Sequence, residues 1–214
     1  MNARQSQLTG RLRLRHLLEV TEAAAEEMAE ERPRFEALAN KEAAPRVVSA
    51  FNLFQTPEAL AAKAAQLVGT FGRTLEPSAG LGRLYRAIRA IDAGCEVVLV
   101  DNSPECCGEL YRETERDANA RLIQFDFLDC TAERLGLFDS IVMNPPFKMG
   151  RDIKHIKHAL TLLAPGGRLV AICANGPRQN EQLRPLADSW EVLPAGCFKE
   201  SHTNVSAAMM VIGR

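Results

Sequence analysis

The chain has 214 residues, of which 46% are hydrophobic, 25% charged and 6% aromatic. This excludes a fibrous or mostly disordered protein and leaves enough chain for a sizeable core. Lys and Arg total 26 against 27 Asp and Glu, a formal net charge of −1, so any nucleic-acid binding must come from a local patch. No apolar run approaches the roughly 18 residues of a membrane span. The N-terminal stretch MNARQSQLTGRLRLRHLLEV lacks a clean apolar stretch and a small-residue cleavage site, so no secretory signal is expected.

Residues 1–50 hold no Gly after Gly10, and Leu14, Leu17, Leu18, Thr21, Ala24, Ala25 and Met28 recur at helical spacing. The pattern predicts one long amphipathic helix ending near Pro33, a helical extension ahead of a domain over 51–214. Its Arg4, Arg11, Arg13 and Arg15 precede every acid; they fit a phosphate contact or a solvated helix end.

From Phe51 onward strand and helix patterns alternate. Thr56-Pro57-Glu58 reads as a helix start with Thr as N-cap and Pro at the first position. A short strand to Leu75, a Gly-containing turn and a helix through Leu84, Ala87 and Ile88 follow. Cys95–Val100 reads as a buried parallel strand, and Ser103-Pro104-Glu105 as a second helix start. Strands are predicted at Arg121–Gln124 and Ser140–Met143, then a helix over 151–163 with Ile153, Ile156, Leu160 and Leu163 inward. Pro165-Gly166-Gly167 reads as a turn into strand Arg168–Ile172. A helix over Gln179–Ser189 and strands near Glu191–Leu193 and Ala207–Ile212 complete the pattern. This alternation predicts a doubly wound α/β sheet.

The six cysteines, Cys95, Cys106, Cys107, Cys130, Cys173 and Cys197, form no C-x-x-C pair. Neither metal ligation nor a disulfide framework is expected, and the thiols read as free in a reducing cytosol. On a helix, Cys106 and Cys107 are expected to place one thiol inward and one outward.

Four places carry candidate chemistry. Leu75-Glu76-Pro77-Ser78-Ala79-Gly80-Leu81-Gly82 runs from a strand end into a helix, where open α/β sheets bind ligands. A dinucleotide fingerprint needs a third Gly at 85, and Tyr85 stands there; a plain tight turn also fits. Asp101 ends the next strand, where a carboxylate takes ribose hydroxyls or caps a helix. Asp126-Phe127 follows a strand; the acid suits an adenine amino group and the ring suits the purine face or the core. Asn144-Pro145-Pro146-Phe147 is the most specific. Its prolines remove two backbone donors and stiffen the turn, which keeps carbonyls available as acceptors beside the Asn144 amide and the Phe147 ring. Such a turn suits an NH2 group on a planar system.

The order TPEAL, LEPSAGLG, VVLVDN, FDFLDC and FDSIVMNPPF resembles class I S-adenosylmethionine-dependent methyltransferases of the adenine-N6 type. The stretch MNPPFKMGRDIKHIKHAL…LAPGGRLVAI…LPAGCFKESHTNV is similar to phage- and plasmid-borne members. The resemblance spans residues 51–214. It implies a mostly parallel seven-stranded Rossmann-like sheet, S-adenosylmethionine as cofactor and N6-methylation of adenine in DNA. Thr56, with Phe54 and Gln55, is implied near the methionine moiety, and Glu76, Ser78, Gly80 and Gly82 in the cofactor loop. Asp101 and Asn102 are implied at the ribose, and Asp126 and Phe127 at the cofactor adenine. Asn144 and Pro145 are implied at the target amine, within the Asn144–Phe147 turn that includes Pro146; Phe147 is implied to stack on the base, with Phe198 as a second aromatic wall. His202-Thr203-Asn204 departs from the Gly-Thr-Gly of related chains. DNA adenine methyltransferases of this motif order append a target-recognition domain, so a separate specificity protein is the implied partner.

Arg151, Lys154, His155 and His158 fall on one predicted helix face, with Lys148 before it; they fit a phosphate track or a solvated face. Other readings stay open: methylation of RNA at adenine-N6 or guanine-N2, methylation of protein glutamine, and a non-catalytic nucleic-acid-binding module of the same fold.

Overall fold

A computed structural model describes residues 55–69, 71–198 and 205–214. The predicted N-terminal helix, Phe54 and the His202-Thr203-Asn204 segment lie outside the described residues. The elements run α1 (Glu58–Val68), β1 (Thr74–Pro77), α2 (Arg83–Ile91), β2 (Val97–Asp101), α3 (Pro104–Thr114), β3 (Ala120–Gln124), α4 (Ala132–Leu135), β4 (Phe138–Met143), α5 (Arg151–Leu162), β5 (Leu163–Ala174), α6 (Pro177–Gln182), β6 (Ser189–Val192) and β7 (Ala207–Gly213).

The strands form one seven-stranded sheet in the order β3-β2-β1-β4-β5-β7-β6. The β1–β2, β2–β3, β1–β4 and β4–β5 pairs are parallel, while β7 runs antiparallel to both β5 and β6. The strand order reverses between β1 and β4, because the chain winds outward to β3 and then returns to the other side of β1.

Alternation along the central strands feeds two cores. Val98 and Val100 on β2 and Ile141 and Met143 on β4 join Ile153, Ile156 and Ala159 of α5. Val97, Leu99 and Val142 face the other way, toward Ala61 and Ala65 of α1, Leu84 and Ile88 of α2 and Leu110 of α3. Covering both faces explains the nearly continuous apolar runs in these strands.

Ser103 caps α3 as predicted: its side chain accepts from the Cys106 N–H, and Pro104 holds the first helical position. Thr56 does not cap α1; Pro57 occupies the cap position without a side-chain bond. α5 ends at Leu162 and Leu163 already belongs to β5; Leu162 is buried, whereas Leu160 is only partly so. Pro165-Gly166-Gly167 is a bulge inside one long β5, across which pairing shifts from Phe138↔Leu163 to Ser140↔Arg168. A Cβ on Gly167 would lie 2.9 Å from the carbonyl oxygens of Ala164 and Asp139, so the bulge packs only without a side chain. The helix expected over Gln179–Ser189 is α6, Pro177–Gln182, followed by a 3₁₀ turn at Arg184–Leu186; Pro185 lacks the N–H that would carry it on. Cys106 and Cys107 are both buried, because α3 sets both against the body of the domain.

Gly82 starts α2 at φ +75°, and a Cβ there would meet Leu110 Cδ1 at 2.6 Å. Gly108, exposed within α3, has open space around it. Gly82→Ala is expected to lower unfolding free energy by about 1–3 kcal/mol, while Gly108→Ala raises it by about 0.5–1 kcal/mol. Urea titrations of the two variants check the opposite signs.

Candidate active site

The reversal between β1 and β4 places two loops side by side, one running from the end of β1 into α2 and the other following β4. Open α/β sheets bind ligands in this crevice. A cavity there is lined by Thr56, Glu76, Ser78, Gly80, Asp101, Asn102, Asp126, Phe127, Asn144, Pro145, Pro146, Phe147 and Arg151. Four expected residues, Gly82, Phe198, Lys148 and Lys154, are not among its lining. Gly82 instead gives α2 its close approach to α3.

Asp101 organises one half. Its Oδ2 accepts from the Gly80 N–H at 2.8 Å, and its Oδ1 accepts from the Ser103 N–H at 2.8 Å. One carboxylate thus ties the β1 loop to the start of α3. Tyr85, at the third fingerprint position, is buried, and its hydroxyl donates to Asp117 at 2.6 Å. Its ring stands where the third glycine of a dinucleotide fingerprint would let helix and strand pack closely.

Glu76 is 1% exposed, and its Oε2 finds no hydrogen-bond partner among the described residues. Burial raises its pKa well above the ordinary 4.5, against a hydrogen bond from the Tyr85 backbone that lowers it. Such a carboxyl is an acceptor waiting for a donor or a cation.

The other half follows β4. Asn144 Nδ2 donates to Thr56 Oγ1 at 2.9 Å. The Thr56 hydroxyl, expected as a helix cap, is instead the partner of this amide. Phe147 is half-buried, and its ring meets Phe198 edge-on, centroids 6.1 Å apart at 88°. Phe198 is 1% exposed. It braces Phe147 from within the core and is not an open second wall.

The predicted basic face of α5 divides. His155 is buried, with Nδ1 3.2 Å from Ser78 Oγ and Nε2 without a hydrogen-bond partner among the described residues. Burial, and secondarily the Arg151 charge, push its pKa down to about 4, so it is neutral at physiological pH. His158 Nε2 lies 2.7 Å from the Cys130 carbonyl oxygen. Arg151 reaches Asp126 at 3.8 Å, and Lys154 is exposed. The four do not form one phosphate track, because both imidazoles face inward.

Phe127 is 3% exposed, its ring against His155 and His158. Its neighbour Phe125 is 38% exposed and lines the cavity; it is the more exposed of the two rings, and the sequence reading passed over it. Asp126 accepts from the Leu128 N–H at 3.0 Å. Also missed were Arg83 and Cys106. Arg83 pairs with Glu58 and reaches Gln55 at 3.4 Å; its place directly after Gly82 was the available signal. Among the described residues no group of three His, Cys, Asp or Glu is placed to hold a metal ion, and no helix is long and apolar enough to cross a membrane.

The sequence model of the methyltransferase small domain matches residues 45–195. No curated protein sequence matches this chain. The fold is similar to that of PH1948 from Pyrococcus horikoshii, a proposed RNA methyltransferase (TM-score 0.62, 15% identity, 86% of this chain and 96% of that one). It is also similar to TrmN from Thermus thermophilus (TM-score 0.60, 19% identity, 73% of this chain), of which it spans 48%. A third similar structure is the N-methyltransferase NodS from Bradyrhizobium japonicum WM9 with S-adenosylhomocysteine (TM-score 0.56, 16% identity, 73% of this chain and 85% of that one). The cavity fits a cationic adenosine-bearing methyl donor: Glu76 offers a buried acceptor, Phe125 an exposed ring, and Gly80 a backbone surface without a side chain. The chain therefore belongs to the methyltransferase small domain family, with S-adenosylmethionine as its cofactor.

Proposed function

We propose that this methyltransferase acts on the exocyclic N6 amine of adenine in DNA. The observation that carries the reading is the Asn144 amide held by Thr56, next to Pro145 and the half-buried Phe147, in the same cavity as Glu76 and Asp101. The cofactor brings a methyl group on a sulfonium. Glu76 takes a positive charge of the cofactor; Asp101, while bracing the Gly80 loop, has lone pairs for the ribose; Phe125 meets the adenine.

An exocyclic amine delocalises its lone pair into the ring and is a poor nucleophile. Asn144 Oδ1 and the Pro145 carbonyl accept its two N–H bonds, which favours a pyramidal nitrogen and localises the lone pair. Phe147 stacks on the base and fixes its plane, an interaction of about 1–3 kcal/mol. In-line placement then supplies much of the barrier reduction, roughly 7–11 kcal/mol in well-oriented systems. RNA is the second reading, supported by the likeness to PH1948, a proposed RNA methyltransferase whose fold this chain spans almost in full. Methyl-transfer assays on DNA, RNA and protein separate these readings, and transfer to protein alone overturns both.

Asn144→Ala is expected to lower kcat by about 10²–10³, by analogy with loss of one preorganised hydrogen-bonding group, with cofactor affinity within a few-fold. Thr56→Val keeps the side-chain shape, removes the acceptor that orients the amide, and lowers kcat by about tenfold. Single-turnover kinetics beside cofactor titrations read both; near-normal turnover in Asn144→Ala removes the amine-acceptor role.

Both Asp101 oxygens face backbone N–H groups. Asp101→Asn turns an NH2 toward one of those donors, so it weakens cofactor binding nearly as much as Asp101→Ala, by about 1–3 kcal/mol. Calorimetric titration of both variants measures this.

Glu76 holds its proton above the ordinary 4.5 in the cofactor-free fold. A raised native pKa means that the fold binds more protons than the unfolded chain just above pH 4.5, so its contribution to stability falls as pH rises there. A cation at Glu76 lowers that pKa, so at a pH where the free fold keeps this carboxyl protonated, cofactor binding expels a proton. Glu76→Gln is expected to flatten the pH dependence of stability and to abolish proton release. Calorimetry just above pH 4.5, in buffers of different ionisation enthalpy, detects the release; its absence there in the unsubstituted protein contradicts the counter-ion role.

A further inference from the structure

Phe147 is followed by a 3₁₀ turn, Lys148–Gly150, closed by the Gly150 N–H on the Phe147 carbonyl at 3.2 Å. Met149 within it has φ +58° and ψ +25°, and Gly150 repeats the left-handed geometry at φ +69° and ψ +25°. A side-chain-bearing residue in that region is strained. Met149 is also 84% exposed, against 58% for Tyr111, the next most exposed large hydrophobic among the described residues. The thioether therefore gains almost no packing in return for the strain. Both features serve one geometry: a long apolar side chain held in water two residues beyond the ring proposed to take the target base. Lys148, Arg151 and Lys154 surround it in sequence, and Lys154 is exposed.

We infer that Met149 is a wedge that enters the base stack of a paired nucleic acid and fills the space left when the target base swings out to Phe147. The inference rests on the reading of the substrate as nucleic acid and adds how a paired base is reached. Extrusion costs stacking and pairing energy. Apolar side chains, Met among them, offset that cost by inserting between base steps. Unbranched Met adapts its shape to whichever neighbours flank the gap, and the nearby cations neutralise phosphates on either side. A single strand presents no such gap, so the contribution of Met149 is specific to paired substrate.

The test measures tritiated methyl transfer by the full chain to native and heat-denatured DNA, and in parallel to folded and heat-denatured RNA. Met149→Gly removes the wedge and relaxes the strained backbone, and Met149→Leu restores an apolar side chain of similar reach. The ratio of paired to denatured activity is expected to fall about tenfold in Met149→Gly and to stay within about twofold in Met149→Leu. An unchanged ratio in Met149→Gly, an equal fall in Met149→Leu, or a parent protein active only on denatured polymer overturns the wedge and leaves the nucleic-acid reading standing. A parent protein that transfers methyl to neither polymer overturns both.

Discussion

The Asp101 carboxylate is the constraint on which the site depends. It sits at the end of β2 and accepts one N–H from the loop after β1 and another from the start of α3. A Gly-rich loop left to itself samples many conformations, and fixing each residue costs about 1–2 kcal/mol of backbone entropy. One hydrogen bond from a rigid strand end holds that loop where the sheet order reverses, and the second ties the same carboxylate to the start of α3. Glu76 is set by β1 itself, whereas Ser78 is carried into place by this loop and in turn meets His155 on α5.

Much of this was legible in the sequence. The apolar runs ending at Val100 and Met143 marked strands covered on both faces, and two Pro-containing helix starts gave the phase of the alternation. The motif order then assembled most of the cavity's residues, because loops at strand ends converge on a switch point whatever their separation in sequence. Cap signals alone did not distinguish Ser103 from Thr56. Both precede Pro, yet Ser103 bonds its own helix while Thr56 bonds Asn144, 88 residues away. A hydroxyl takes whichever partner the tertiary fold brings near, and local spacing does not record that choice.

The charged face of α5 misled for a related reason. Histidine is counted with Lys and Arg in a helical stripe, but it buries readily when a ring or carbonyl lies opposite. His155 and His158 face Phe127, and His158 also meets the Cys130 carbonyl. That packing draws Phe127 into the core and leaves Phe125 exposed at the cavity. The motif Asp126-Phe127 implies acid and ring at one ligand, but a 3₁₀ turn begins between them and sends the ring inward. Which of two neighbouring aromatics faces a ligand depends on that one change of backbone direction.

The Thr56–Asn144 hydrogen bond joins the start of α1 to the end of β4, two parts of the chain that share no element. It couples a helix entrance to the amide proposed to meet the reacting amine, so a shift of the segment before α1 alters the aim of that amide. Asp101 and Asn144 therefore play parallel parts on either side of the reversal. Each is a side chain at a strand end whose hydrogen bonds fix a neighbouring loop or helix start, and each leaves the ligand to be met by groups already held in place. Catalysis by placement needs this arrangement more than it needs a strong base, and the neutral, buried His155 is consistent with a site organised for orientation.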